Sequence, residues 1–216
     1  MAAQNRVPRC LLSVSLSLGL AFASSLALAA DNTFKQSAEL GKRTAETSEH
    51  VEKYVAQLDK TEQALSSVNQ AQGKDLKKRY QSFSKQVNSL EEARKVATSD
   101  INEMKSKGAE YFSSWDTSNA RITNPELKQA SIERRANVMK DYDELAADLS
   151  EIGRELEPFM SNLHDLRSFL GADLSPAHIR NANGVIQKSQ SDARSLRQKI
   201  TPVQTTLKQF VSEAPK

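Results

Sequence analysis

One spacing constrains this chain more than anything else. From Leu76, residues at alternating intervals of four and three run Leu76, Tyr80, Phe83, Val87, Leu90, Arg94, Ala97, Ile101, Met104, Gly108, Tyr111, Trp115; all but Arg94 and Gly108 are apolar. The pattern returns unbroken in Val138, Tyr142, Leu145, Leu149, Ile152, Leu156, Phe159, Leu163, Leu166, Leu170. It returns again in Ile179, Ala182, Ile186, Ser189, Ala193, Leu196, Ile200, Val203, Leu207, Phe210. A weaker version, Val51, Tyr54, Leu58, Thr61, Leu65, Val68, extends back toward Phe34 and Leu40. Alternating steps of three and four keep one stripe on one face of a helix, whereas a strand needs strict alternation. Each segment is therefore a helix that must bury a seam.

The breaks between segments carry the matching signals. Gly73 separates the first two, with Asp75 as a candidate N-cap. The polar stretch Asp116 to Asn124 separates the next two, and Asn124 before Pro125 is a helix start. Gly171 is placed to end the third segment, and Ser175 before Pro176 starts the fourth. The expected helices span about 33–71, 75–115, 125–171 and 176–212. Short connections make successive helices antiparallel neighbours. The reading is all-α: an elongated, coiled-coil-like antiparallel four-helix bundle, about 60 Å long at 1.5 Å per residue. Four seams in one chain can satisfy each other, which favours a monomer over a dimer of helical hairpins. Pro158 and Pro202 fall inside helical patterns and predict bends, because the seams continue beyond them; the rival reading is that Pro202 ends the fourth helix. Seven Gly, six Pro and 6% aromatics agree with long helices and argue against a β-sandwich or a nucleotide-binding α/β fold.

The first 29 residues read as an address. They contain no acid and two bases, Arg6 and Arg9, then an apolar run from Leu11 that ends in Ala27-Leu28-Ala29. A basic start, an apolar middle and an A-x-A end make a secretory signal peptide, with cleavage expected after Ala29. The remaining 30–216 form one domain, periplasmic or, alternatively, secreted. Cleavage removes two bases, so the formal net charge falls from +3 to about +1 and no electrostatic case for nucleic acid survives. Cys10, the one cysteine, precedes the apolar run and leaves with it. The mature chain then has no disulfide, no thiolate chemistry and no lipoprotein cysteine. It also lacks an apolar stretch long enough to span a bilayer.

Candidate sites are few. His50, His164 and His178 lie on different segments, and no Glu-x-x-His of the di-iron bundles occurs. No phosphate-binding glycine loop and no Gly-x-Ser-x-Gly is present. Neither a metal nor a cofactor is expected, and no catalytic residue is assigned. Lys74, Lys77, Lys78 and Arg79 read as a solvated rim. Arg94 is the anomaly, since it occupies a seam position where Val or Leu belongs. A buried Arg needs a carboxylate. Folding about Gly73 brings Glu49, His50 and Glu52 level with it, and folding about the next loop brings Asp143, Glu144 or Asp148. The expectation is a mid-bundle polar layer of Arg94 with Glu49, Glu52 or Asp148, specifying register. The aromatics Phe34, Tyr111, Phe112, Trp115 and Phe210 should gather at one bundle end. They act there as a plug or, as the minority reading, a peptide- or lipid-binding patch.

The stretch Tyr111-Phe112-Ser113-Ser114-Trp115, then Ile122-Thr123-Asn124-Pro125-Glu126-Leu127, Arg134-Arg135, Tyr142, Leu156-Glu157-Pro158-Phe159 and Leu163 to Leu170 resembles a bacterial family of unknown function, DUF2959. The aromatic-Trp loop, the Glu-Pro of the third helix and the opening of the fourth, here Leu174-Ser175-Pro176-Ala177, are its recognisable features. The resemblance covers roughly Phe34 to Phe210. It implies an exported helical envelope protein and supplies no catalytic residue. Some relatives look like lipoproteins, from which this chain departs. The functional expectation is a non-enzymatic structural, adaptor or chaperone-like module whose partner is another envelope protein or itself. The alternative is a lipid- or small-ligand-binding bundle.

Overall fold

The computed structural model describes residues 27–71 and 75–213, so the leader up to residue 26 with Cys10, and Gly73, lie outside the described residues. The described chain forms α1 (Ala27–Gln70), α2 (Asp75–Ala120), α3 (Pro125–Ala172) and α4 (Pro176–Glu213). Each start has a local cause. Asn124 is extended and its Oδ1 accepts from the amides of Glu126 and Leu127 at 3.0 and 3.1 Å, with Pro125 as the first helical residue. Ser175 does the same for α4, its Oγ accepting from the amide of His178 at 3.2 Å. Two bounds differ from expectation. α1 begins at Ala27, before residue 33. α2 runs to Ala120, through residues that composition alone marks as a polar loop. Their polarity is met there: Trp115 and Asn119 bond to Ser131, and Asp116 to Arg135.

The helices pack as a ring. α1 meets α2 and α4, and α3 meets α2 and α4; among the described residues the diagonal pairs do not touch. This is an antiparallel four-helix bundle, as the seams require. Leu58, Leu65, Phe83, Leu90, Met104, Leu163, Leu170, Ile186 and Leu207 are fully buried on its axis. The α1–α2 interface is the most extensive. Small residues allow it: Ser37, Gly41, Thr44, Thr47 and Ser48 are all buried on α1. Thr44 and Thr61 return their hydroxyls to the carbonyls four residues earlier, so burial leaves those two satisfied.

Both internal prolines lie within continuous helix, and α4 continues through Pro202 to Glu213, which removes the reading that Pro202 ends it. The carbonyls deprived of a partner belong to Arg154 and Gln198, which face solvent, so water replaces the missing bonds. Gly171 does not end α3 either. The helix continues to Ala172 with Asp173 as its C-cap.

Gly171 has another use, which Gly108 shares. The Tyr142 hydroxyl donates to the Met104 carbonyl at 2.8 Å, and its ring covers Gly108, where a Cβ would lie 2.3 Å from the ring. The Tyr80 hydroxyl donates to the Arg167 carbonyl at 3.0 Å and covers Gly171, where a Cβ would lie 2.4 Å from the hydroxyl. In both cases a tyrosine caps the carbonyl four residues before a glycine. One tyrosine comes from α3 onto α2 and the other from α2 onto α3.

These contacts predict opposite outcomes for the same substitution. Gly153 and Gly184 have open space where a Cβ would be, so Ala there removes only the helix penalty of glycine and stabilises by about 0.5–1 kcal/mol. Gly108→Ala collides with a held, buried ring and destabilises by a net ~1–2 kcal/mol despite that gain. Urea unfolding of the four Ala variants checks this; equal stabilisation at all sites would refute the tyrosine–glycine contacts. On the seam, Leu149→Ala costs roughly 2–5 kcal/mol, against under about 0.5 for the exposed Lys188→Ala.

Candidate functional site

Two regions depart from a plain apolar bundle. The first surrounds Arg94. Its Nη1 donates to Glu157 Oε1 at 2.5 Å, its Nη2 to Glu91 Oε1 at 3.0 Å and its Nε to Glu91 Oε2 at 3.2 Å. His164 Nε2 stands 3.9 Å from the same Glu91 carboxylate. The buried Tyr54 hydroxyl, electrostatically coupled to Arg94 and Glu91, has no hydrogen-bond partner in the structure, and burial pushes its phenol far above the ordinary range. A half-buried polar layer therefore exists mid-bundle, contributed by three helices.

Its acids are not the expected ones. Glu52 is level with Arg94 but turns toward α4, where it pairs with Lys208 at 2.5 Å. Glu49 is exposed and pairs with Lys53 on its own helix at 2.6 Å. Asp148 is exposed, and partial burial with Glu151 and Glu144 nearby raises its carboxyl above the usual range. The longer α2 shifts the level of α3, so Glu157 faces Arg94 instead. His50 pairs with Asp100 between α1 and α2, and His178 stacks on Phe169 at 3.8 Å between ring centroids.

The Arg94 guanidinium holds Glu91 below the usual carboxylate range, by hydrogen bonding first and charge second. An acid kept ionised in this way is a structural counter-ion, unsuited to exchanging protons near neutrality. Among the described residues no group of three or more His, Cys, Asp or Glu side chains is arranged to hold a metal ion. No described helix is long and apolar enough to cross a membrane.

The second region is the end where α3 begins. α3 has 48 residues and α4 only 38, and Phe210 near the end of α4 meets Tyr142 at 5.8 Å, about 25 Å along α3 from Pro125. Beyond the end of α4 no described residue fills the fourth position of the ring. None of residues 125–141 is buried, and Leu127 and Ile132 are 64% and 43% exposed. Tyr111, Phe112, Trp115 and Phe210 do gather, around Tyr142: Tyr111 contacts Phe112 and Trp115, and Phe112 meets Tyr142 edge-on at 5.5 Å. Phe34 does not join them. It is 52% exposed, because α1 runs on past the end of α4 and no described helix lies over it there.

The exposed start of α3 is nonetheless firmly held against α2. Trp115 Nε1 donates to Ser131 Oγ at 3.0 Å, and Ser131 donates to Asn119 Oδ1 at 2.5 Å. Arg135 bonds Asp116 at 2.6 Å and lies over the Phe112 ring at 5.6 Å. Outside this contact α3 carries an open trough of about 520 Å³, lined by Arg135, Ala136, Met139, Lys140, Asp143, Glu144 and Ala147. With Ile132, its apolar members Ala136 and Met139 follow at intervals of four and three beside the main seam, and Ala147 lies eight residues further on. That offset stripe, and the Glu three residues before Arg94, were the sequence signals for residues the single-seam reading passed over.

The depressed carboxyl of Glu91 sets a pH dependence. A group whose folded value lies below its unfolded value stabilises above that unfolded value and loses the contribution as pH falls through the folded one. Glu91→Gln should thus cost about 1 kcal/mol at neutral pH, and the difference from wild type should shrink as pH drops below the ordinary glutamate range. Unfolding curves at pH 7 and pH 3 check it; a pH-independent difference would refute the pair.

No curated protein and no solved structure matches this chain. A family model does, over residues 34–214, which takes in all four helices and both regions described above. The chain belongs to the family described as protein of unknown function (DUF2959).

Proposed function

We propose that the chain is a non-enzymatic helical protein of the cell envelope, exported by its cleaved leader, that works as an adaptor by docking helices on the uncovered start of α3. The observation that carries this reading is the length mismatch. α3 outruns α4 at this end, and Leu127 and Ile132 are left on it 64% and 43% exposed, while Val138 and Met139 are only partly covered by the core. Large exposed apolar groups gathered on one regular helix are the mark of a protein-interaction surface. Arg94 is taken up in ion pairs with Glu91 and Glu157, which supports the non-enzymatic reading.

Site-specific photocrosslinking in intact cells tests it. A photoreactive residue at Leu127 or Ile132 should capture a defined protein, identified by mass spectrometry. The same residue at Val96, equally exposed but on α2, should not. Crosslinking at the α3 positions no higher than at Val96 would overturn the proposal.

A further inference from the structure

The trough on α3 carries its charges in order. Going along the helix, its basic members Arg135 and Lys140 come first and its acidic members Asp143 and Glu144 follow. Between them the floor is small and apolar, Ala136 and Ala147 with Met139 at the centre. All three bases and acids other than Arg135 are exposed; Lys140 makes only a loose pair with Glu144 of its own helix, at 4.0 Å. Arg135 is half-buried and already committed to Asp116.

A stripe that runs from basic to acidic is complementary to itself when turned end for end. An antiparallel copy laid in the trough sets each Lys140 opposite the other copy's Asp143, about a two-fold axis between residues 141 and 142, with each Ala136 facing the other copy's Ala147 and each Met139 about 4 Å along the helix from the axis. The two alanines let the helix backbones approach closely. A parallel copy would set base on base and acid on acid. From this we infer that the partner seated on α3 is a second copy of the chain, docked antiparallel about a two-fold axis through the middle of the trough. The inference rests on the adaptor reading and names its occupant. Isologous pairing of one patch with itself is the common form of homodimer. The stripe from Ile132 to Ala147 is only about 24 Å long, a short contact beside a standard stable interface, so the dimer is a weak one.

The test is the molar mass of the purified protein by light scattering, over about 5–500 µM, for wild type and three variants. Wild type should pass from monomer to dimer across that range. Lys140→Glu and Asp143→Lys each act twice in a two-fold contact and should weaken the dimer at least tenfold. The double variant with both changes restores opposite charges across the axis and should recover the wild-type curve. Both substituted positions are exposed, and unchanged circular dichroism confirms the fold. A wild-type mass that stays monomeric throughout overturns the inference, as does a dimer indifferent to both charge reversals. If photocrosslinking at Ile132 captures a different protein while the chain stays monomeric, the adaptor reading stands and the self-pairing fails.

Discussion

The register between α2 and α3 governs the rest of this molecule. A heptad seam is degenerate: sliding one helix past another by three or four residues still sets apolar side chains against apolar side chains. Something without that degeneracy must choose. Here the two tyrosine–glycine contacts do so, because Tyr142 fits only where Gly108 leaves room and Tyr80 only where Gly171 does. Each also places a hydroxyl on one particular backbone carbonyl. The contacts point in opposite directions across the interface and lie about 42 Å apart along it, so a slip that relieved one would break the other. With α2 and α3 fixed, α4 follows from its short connection at Asp173–Ser175, and how far α3 projects beyond α4 is determined.

The polar layer at Arg94 adds a second constraint of a different kind. Removing Glu91 or Glu157 would leave a half-buried guanidinium short of a partner, which is why such layers favour one register over others more than they raise stability. Arg197 does comparable work for α4, reaching Asp59 and Glu62 on α1. Lys208 and Lys199 bracket the same helix against Glu52 and Glu155. α4 is thus held by a hydrophobic seam down its middle and by cations along both flanks.

Much of this was readable from residues alone, and what was not has physical reasons. The four seams and the starts at Asn124–Pro125 and Ser175–Pro176 are local, and local patterns survive folding. The partners of Arg94 were misread because fold-back arithmetic gives a level along the bundle but not a direction around a helix. Glu52 had the right level and the wrong face. The end of α2 was misread because Asp116 and Asn119 find partners on α3, which no local propensity anticipates. Gly171 was taken for a helix stop when its missing Cβ serves a tyrosine far away in sequence. The weak seam of α1 has its own cause: Ser37, Thr44, Thr47 and Ser48 are core residues that hydropathy counts as polar.

The exposed start of α3 is not what a chain would keep for stability alone. Ordering a residue costs about 1–2 kcal/mol of backbone entropy, and a helix this short is marginal in isolation. Residues 125–141 offset that cost without fully burying any side chain. What holds them helical is a cap at Asn124, a proline in the first turn, the Trp115–Ser131–Asn119 chain of hydrogen bonds and Arg135 clamped between Asp116 and the Phe112 ring. All of these act from one side, the α2 side, and leave the other side bare. A disordered segment docking there would pay the ordering cost at the moment of binding, whereas a helix already formed and clamped does not. The stiffness of this segment and its exposure therefore belong together: the contacts that make it rigid leave its apolar and charged stripe free to be matched by another helix.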